Sequence, residues 1–231
     1  MLNAICALPK AVFNTALELV YPRSCYVCKR SIGPSENASL CETCRKKIRY
    51  NKPLFTASAR RAGYYFDRVH SVAAYEGVMR ECIHKFKYNG MLSVERLFAE
   101  LMTDYAEKYI DKNLFDFIIP VPLYRTKLRE RSFNQAAILA NSVSRKLKIP
   151  CINNNLIRVR AGKPQIDLPK RERLKNIKDA FKLKRPLLFN DKSVLLIDDV
   201  FTTGATLNEC SRVLKLAGAG YIEAFTLARS V

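Results

Sequence analysis

The sequence contains few acidic residues and almost no histidine. Its 231 residues include 40 lysines and arginines but only 21 aspartates and glutamates, which gives a formal net charge of +19. A basic excess of this size indicates a polyanionic partner or an anionic membrane surface. The two histidines, His70 and His84, are not diagnostic of an acid–base site, and His70 is interpreted as a packing residue.

Long apolar runs are also missing. No stretch of 18 apolar residues occurs, so no membrane-spanning helix is predicted. The first ten residues lack the basic lead and cleavage site of a secretory signal, and we therefore expect a cytoplasmic protein, at most peripheral to the inner membrane. Apolar residues recur at helical spacing over 10–20, which predicts a short amphipathic helix that packs on the body. A helix lying on a membrane surface is the alternative.

Eight cysteines are present, and four of them form two pairs. Cys25-x-x-Cys28 and Cys41-x-x-Cys44 are separated by 12 residues. Two turns that each offer a pair of thiolates can surround one Zn²⁺ as a tetrahedron. The alternatives are two disulfides in an exported domain, or a metal that the protein holds in the cell and loses on purification. The other four cysteines are interpreted as inert packing thiols.

Strands and helices alternate along the rest of the chain. Strands are predicted at 68–75, 115–121, 193–197 and 221–227, and helices at 78–88, 93–110, 133–147 and 205–217. This alternation predicts an α/β fold with a mostly parallel sheet and helices on both faces. We expect an N-terminal helix and zinc ribbon over residues 1–52 and the α/β domain over 53–231.

The segment 194–206 carries the strongest functional signal. An apolar run ends in Asp198 and Asp199, a Thr-Thr-Gly loop follows, and a helical pattern begins at once. The N–H groups of such a loop and the dipole of the next helix attract phosphate. The two carboxylates repel phosphate, so they suit diol hydroxyls or Mg²⁺ instead. An ordinary buried strand whose acids cap the helix is the alternative.

This segment resembles the phosphoribosyl-diphosphate (PRPP) motif of type I phosphoribosyltransferases. The resemblance implies that Asp198 and Asp199 face the ribose hydroxyls and the Mg²⁺ region, and they are the predicted catalytic residues if transfer occurs. It also implies a 5′-phosphate site, which comprises Thr202, Thr203, Gly204, Ala205 and Thr206.

A second strand end is rich in proline and cations. Ile118-Ile119-Pro120-Val121-Pro122 is followed by four basic residues, Arg125, Lys127, Arg129 and Arg131. In phosphoribosyltransferases the loop at this place receives the diphosphate, so the resemblance implies that Val121, Pro122 and Arg125 contact PRPP. Arginine suits bidentate phosphate binding. A solvated basic loop is the alternative.

The chain as a whole resembles the competence-protein-F family, which joins an N-terminal four-cysteine ribbon to a type I phosphoribosyltransferase domain. The segment 84–90, His-Lys-Phe-Lys-Tyr-Asn-Gly, resembles the family's Lys-x-x-Gly segment, from which we expect Lys85 to contact PRPP. The segment 131–135 resembles Arg-Gly-Phe-Asn-Gln, with Ser132 in place of the usual glycine. A late basic segment also matches, at Gln165, Arg171, Arg173, Asn176, Ala180 and Phe181.

The family resemblance implies a role in natural transformation, in which the protein handles incoming single-stranded DNA beside a helicase-like partner and a recombination mediator. Residues 158–186 hold 11 basic and 3 acidic residues, which favours a dedicated polyanion surface. The predicted nucleic-acid contacts are Arg129, Arg131, Lys170, Arg171, Arg173 and Lys175. Residues 171–178 are interpreted as a hood over the site or as a plain surface helix. An active nucleobase phosphoribosyltransferase of purine or pyrimidine salvage is the alternative function.

Overall fold

The computed structural model describes residues 24–32, 39–52, 63–89, 92–161 and 177–230. The predicted helix over 10–20 and the predicted DNA contacts at Lys170, Arg171, Arg173 and Lys175 lie outside these ranges. Among the helices of the described part, none is both long and apolar enough to cross a membrane.

Six strands and six α-helices form the described part of the chain. The strands are β1 (Arg68–Ala74), β2 (Phe117–Pro120), β3 (Leu156–Arg158), β4 (Phe181–Leu183), β5 (Ser193–Phe201) and β6 (Tyr221–Arg229). The helices are α1 (Glu42–Lys46), α2 (Gly77–Asn89), α3 (Leu92–Tyr109), α4 (Arg125–Arg131), α5 (Gln135–Leu147) and α6 (Ala205–Leu216).

The central sheet has the strand order β1-β6-β5-β2, and all of its neighbours pair in parallel. Strand β5 is central because its apolar residues are buried on both faces, as a parallel sheet requires. Leu195 and Ile197 face one core, while Val194 and Leu196 face the other. The sheet therefore lies between two apolar layers, and the α/β prediction is confirmed.

The first core lies on the face covered by α2, α3 and α5. It also contains Cys25, Cys41, Cys44 and Ile48, which come from the described part of the cysteine-rich segment. The ribbon thus shares a continuous core with the α/β domain. The domain boundary between residues 52 and 53 stays a prediction.

The second core lies on the face covered by α6 and by a short hairpin. Strands β3 and β4 pair antiparallel outside the main sheet. Leu156 and Phe181 from this hairpin pack with Leu207 and Leu214 of α6. The hairpin was not predicted, because each strand has only three residues and 22 residues separate them.

His70 lies in the core rather than in a crevice. Its Nε2 atom is 2.9 Å from Glu223 Oε2, and its ring lies edge-on to Tyr105. Burial by itself raises the pKa of Glu223, but the contacts with His70 and Tyr221 outweigh it and hold that pKa below its ordinary value. The histidine therefore has the packing position expected from the sequence.

Candidate functional site

A crevice of about 220 Å³ opens at the carboxyl ends of β5 and β2. Ligands of parallel α/β sheets bind at this edge. The structure brings six of the predicted PRPP residues together there, namely Val121, Pro122, Asp198, Asp199, Thr202 and Thr206. The crevice also contains Tyr75, Leu123, Lys87, Lys127, Arg131, Arg158 and Val200.

The acidic pair lies next to a cation that the sequence analysis missed. Lys87 Nζ is 2.6 Å from Asp199 Oδ2. The backbone N–H of Asp199 donates to Asp198 Oδ1 over 2.8 Å. Burial, and then the neighbouring charge of Asp199, raise the pKa of Asp198 to about 7. Two carboxylates this close are difficult to ionise together, which is the situation that a bound cation relieves.

Four cations share the crevice with the two acids. Burial alone lowers the pKa of Lys87, but the attraction of Asp199 outweighs it and raises that pKa. Burial, and then Arg131 and Arg158, lower the pKa of Lys127. Burial also lowers the pKa of Arg158. Lys127, Arg131 and Arg158 repel one another at this distance, and a multiply charged anion would relieve that repulsion.

Lys85 does not join this group, which corrects the sequence expectation. Its Nζ atom donates to the carbonyl of Tyr26 over 2.9 Å and pairs with Glu81. Residues two apart on a helix point to different sides, so Lys85 faces the ribbon and Lys87 faces the crevice. The Lys-x-x-Gly spacing that ends at Gly90 begins at Lys87, and this signal would have identified the correct residue.

The cationic segment after β2 also differs from its prediction as a loop. Residues 125–131 form the helix α4, which ends at Ser132 in the left-handed conformation with φ +63°. A glycine adopts this conformation without strain, which explains the glycine that is usual in the family at this position. Arg125 and Arg129 are exposed on α4, and Arg125 lines a neighbouring groove instead of the crevice. Arg131 lines the crevice.

Aromatic side chains pack against the Thr-Thr-Gly loop. The hydroxyl of Tyr64 donates to the carbonyl of Thr203 over 3.1 Å. Gly204 has φ +72°, and α6 begins at the next residue. Thr203 uses its hydroxyl to accept from the N–H of Ala205, whereas Thr202 and Thr206 line the crevice. The predicted loop residues therefore divide into those that shape the loop and those that face a ligand.

Gly204→Ala is expected to destabilise the protein more than Gly63→Ala. A Cβ atom on Gly204 would lie 2.9 Å from the Phe201 ring and 3.0 Å from the Tyr64 ring. Gly63 also has positive φ, +82°, but a Cβ atom there would meet nothing within 4 Å. Left-handed strain costs each variant about 1–2 kcal/mol, and overpacking adds about 1–3 kcal/mol at Gly204 alone. Urea unfolding of both variants measures the difference, and equal losses would contradict the close packing.

The four paired cysteines form a second candidate site. Their sulfur atoms all lie within 4.8 Å of one another, and Cys28 Sγ is 3.6 Å from Cys41 Sγ. Tetrahedral zinc with ordinary Zn–S bonds separates its sulfurs by about 3.8 Å. All four are free thiols, which argues against the disulfide alternative. The donor set and its spacing therefore fit a structural zinc ion.

The electrostatics of this cluster agree with a cation at its centre. Burial opposes ionisation of Cys25, but backbone N–H groups of Cys41, Cys28 and Val27 outweigh it and lower the pKa of that thiol to about 6. Burial and the neighbouring thiols raise the pKa of Cys44 to about 12. Four thiolates can coexist here only if a metal balances their charge.

Comparison with known proteins agrees with the ribbon. A sequence profile described as "Double zinc ribbon domain" matches residues 16–62. That segment contains four cysteines and no histidine. Four cysteine thiolates are the full ligand set of one tetrahedral zinc ion. The match and the four-cysteine cluster together support structural zinc.

Among solved structures, a purine phosphoribosyltransferase from Pyrococcus horikoshii Ot3 aligns at 20% identity over 59% of this chain and 82% of that chain, with a TM-score of 0.35. A structure titled as the allosteric regulatory enzyme of purine biosynthesis aligns at 18% identity over 63% of this chain and 30% of that chain, with a TM-score of 0.42. Both TM-scores are below 0.5, and the α/β fold follows from the strand order and the parallel pairing of the sheet itself.

Among curated proteins, "Competence protein F" from Haemophilus influenzae is 31% identical over 89% of this chain and 96% of its own length. "DNA utilization protein YhgH" from Escherichia coli K12 is 26% identical over 92% of this chain and 100% of its own length. "Competence protein ComFC" from Bacillus subtilis is 33% identical over 69% of this chain and 63% of its own length. With this identity and coverage, the chain belongs to the competence protein F family.

Proposed function

We propose that this protein binds PRPP with Mg²⁺ in the crevice and serves DNA uptake by handling incoming single-stranded DNA in the cytoplasm. The observation that carries the proposal is the meeting of Asp198 and Asp199 with four cations beside a Thr-Thr-Gly loop. Two relatives are named for competence and one for DNA utilization, which supports the DNA role. The family resemblance adds a helicase-like partner and a recombination mediator.

The 5′-phosphate of PRPP fits the loop that precedes α6. This helix has 12 residues, so its N-terminus carries a substantial partial positive charge. Free N–H groups at a helix N-terminus bind phosphate oxygens. The hydroxyls of Thr202 and Thr206 line the same end of the crevice and add donors.

The ribose and the metal fit the acidic pair. Carboxylates accept hydrogen bonds from the two ribose hydroxyls and are ligands that Mg²⁺ prefers. The chain offers two such groups in the crevice, Asp198 and Asp199, and repulsion between them favours a cation. Bound Mg²⁺ would neutralise charge on the diphosphate and make it a better leaving group.

The diphosphate fits the basic residues of the crevice. Lys87, Lys127, Arg131 and Arg158 supply the cations, and Val121, Pro122 and Leu123 complete this side. Arg131 is positioned by a hydrogen bond from its Nη1 atom to Gln135 Oε1 over 3.1 Å. A guanidinium that is already oriented loses less entropy when it binds phosphate.

Calorimetric titration with PRPP tests this proposal directly. We expect saturable binding at one site per chain when Mg²⁺ is present, and weaker binding when a chelator removes it. Ribose 5-phosphate is the matched ligand because it keeps the 5′-phosphate and lacks the diphosphate. If PRPP produces no binding heat, or binds no better than ribose 5-phosphate, the proposal is wrong.

Lys87→Met is expected to weaken PRPP binding by about tenfold or more, because a buried charge-assisted contact contributes about 1.5–3 kcal/mol. Lys85→Met is the matched control on the same helix, since Lys85 faces Tyr26 and Glu81 instead. We expect the affinity of the control to stay within about twofold of the wild type, a change of under about 0.5 kcal/mol. Calorimetry that shows the larger loss for Lys85→Met would reverse our placement of the two lysines.

A working transferase is the second candidate function. The same crevice supplies both the acids beside the ribose and the cations for a leaving diphosphate, so the groups for transfer are present. Incubation of the protein with labelled PRPP and a panel of nucleobases measures this, with pyrophosphate release as the readout. Steady release with one base would establish the enzyme, and tight PRPP binding without release would favour the binding protein.

A further inference from the structure

A groove of about 700 Å³ lies beside the crevice and is much larger than it. It runs between α4, the start of α5 and the β3–β4 hairpin. Pro122, Leu123 and Arg158 line both the groove and the crevice, so the two spaces adjoin. Apart from these three shared residues, the PRPP proposal does not use the groove.

The groove combines cations with apolar surface. Arg125, Arg158 and Lys184 line it, and its lining within the described ranges includes no aspartate or glutamate. Leu128, Leu156 and Val159 supply apolar atoms. A ligand that fits this lining has negative charge and flat apolar parts.

One aromatic ring and three asparagine side chains also line the groove. Tyr124 is partly buried at the N-cap of α4, and Asn153 and Asn154 are exposed. Aromatic rings stack on nucleobases, and amide side chains exchange hydrogen bonds with base edges. Unpaired nucleotides present both the base faces and the phosphates that this surface would recognise.

The walls of the groove are fixed by hydrogen bonds from buried or partly buried amides. Asn134 donates to the carbonyl of Val121 over 3.0 Å and accepts from the N–H of Ala136, which ties β2 to α5. Asn155 accepts from the N–H of Arg185 over 2.8 Å and donates to the carbonyl of that residue, which ties β3 to the end of β4. A groove that is already formed loses less free energy to ordering when a ligand binds.

We propose that this groove holds unpaired bases of single-stranded DNA, with the backbone phosphates on Arg125 and Lys184. The inference rests on the proposed role in DNA handling and specifies its binding site. Double-stranded DNA does not fit this role, because its base faces are stacked inside the duplex. Arg158 lies between the groove and the crevice, so the strand would approach the diphosphate end of PRPP.

The test is fluorescence anisotropy with a labelled 15-residue oligothymidine. The double variant Tyr124→Ala, Lys184→Ser removes one ring and one cation from the groove. We expect its DNA affinity to fall by about tenfold or more, since the variant loses both a stacking contact and a phosphate contact. The plot of log affinity against log salt should become shallower by about 0.7 for the lost cation.

The matched control is the double variant Tyr109→Ala, Lys108→Ser, which removes the same residue types from the exposed end of α3. We expect its DNA affinity to stay within about twofold of the wild type, a change of under about 0.5 kcal/mol. Unchanged DNA affinity and salt slope in the groove variant would overturn the inference. Displacement of the probe by thymidine monophosphate as effectively as by unlabelled oligothymidine would also overturn it, since the groove would then hold free nucleotides.

Photo-crosslinking of the wild-type protein with 4-thiothymidine DNA gives a readout that does not depend on any variant. Crosslinks to Tyr124 or Leu128 would support the groove, and crosslinks found only on other elements would contradict it. PRPP calorimetry on the groove variant separates the two proposals. If PRPP binds normally while DNA binding is unaffected by the variant, the groove assignment fails and the PRPP site stands.

Discussion

Asp198→Asn is expected to stabilise the ligand-free protein while it weakens Mg²⁺-dependent PRPP binding by about a hundredfold, or about 2.7 kcal/mol. Asparagine keeps the oxygen that accepts the N–H of Asp199, so the backbone contact survives. The substitution removes a charge that burial and Asp199 disfavour. Thermal unfolding measures the first effect and calorimetry measures the second.

The stabilising effect of Asp198→Asn depends on pH, and the raised pKa of Asp198 determines the direction of that dependence. The pKa of Asp198 is raised from 3.8 to about 7 on folding, so the folded protein retains a proton that the unfolded chain has released. The wild type therefore loses stability as the pH rises from about 4 to about 7. Above pH 7 the gain from Asp198→Asn should reach its plateau, on the order of 4 kcal/mol, and below pH 4 it should vanish.

Asp116→Asn is the matched control, because the same substitution there is expected to destabilise the protein instead of stabilising it. The N–H of Ser193, followed by Lys192, holds the pKa of Asp116 below its ordinary value. Asp116 therefore stabilises the fold above its unfolded pKa, and this contribution is lost as the pH falls. Equal effects of the two substitutions on stability, or unchanged PRPP binding in Asp198→Asn, would contradict the assignment of the acidic pair.

Cys41→Ser is expected to remove the zinc and to destabilise much more than the ribbon alone. Cys41 is fully buried, and it shares a core with α2 and α3. Structural zinc sites contribute folding free energy directly, so we expect a loss of more than about 4 kcal/mol. Elemental analysis should find about one zinc per chain in the wild type and none in the variant, as one four-cysteine site requires.

Cys151→Ser is the control for the loss of a sulfur atom at a position away from the cluster. It should retain the zinc and lose little stability, since Cys151 is only partly buried.

Helix α2 joins the ribbon to the crevice, because Lys85 contacts Tyr26 and Lys87 contacts Asp199. We therefore also expect Cys41→Ser to weaken PRPP binding. A variant that retains full stability after losing zinc would show that the metal is not structural.

Several elements could be predicted because their signals are local. The apolar run of β5 and the acidic pair that follows it mark a buried strand and its exit. The alternation of strands and helices predicts the parallel sheet. The spacing of the four cysteines predicts their cluster. These features depend on residues that are close in sequence, and the structure agrees with them.

Other features depend on contacts that the sequence does not show. The β3–β4 hairpin joins short segments across 22 residues, so Arg158 could not be assigned to the crevice. The loop predicted after β2 forms α4, which begins after Tyr124 without a side-chain cap and ends at Ser132 in the left-handed conformation, so no N-cap signal marks it in the sequence. To choose between Lys85 and Lys87, one must know which face of α2 points to the crevice, and tertiary packing determines that.

A crystal soaked with PRPP and Mg²⁺ would show whether PRPP occupies the crevice and in which orientation. We expect continuous density from the loop at 202–206, past Asp198 and Asp199, to the side chains of Lys87 and Arg131. A crevice that stays empty at saturating ligand, or a ligand that binds away from the acidic pair, would contradict this expectation.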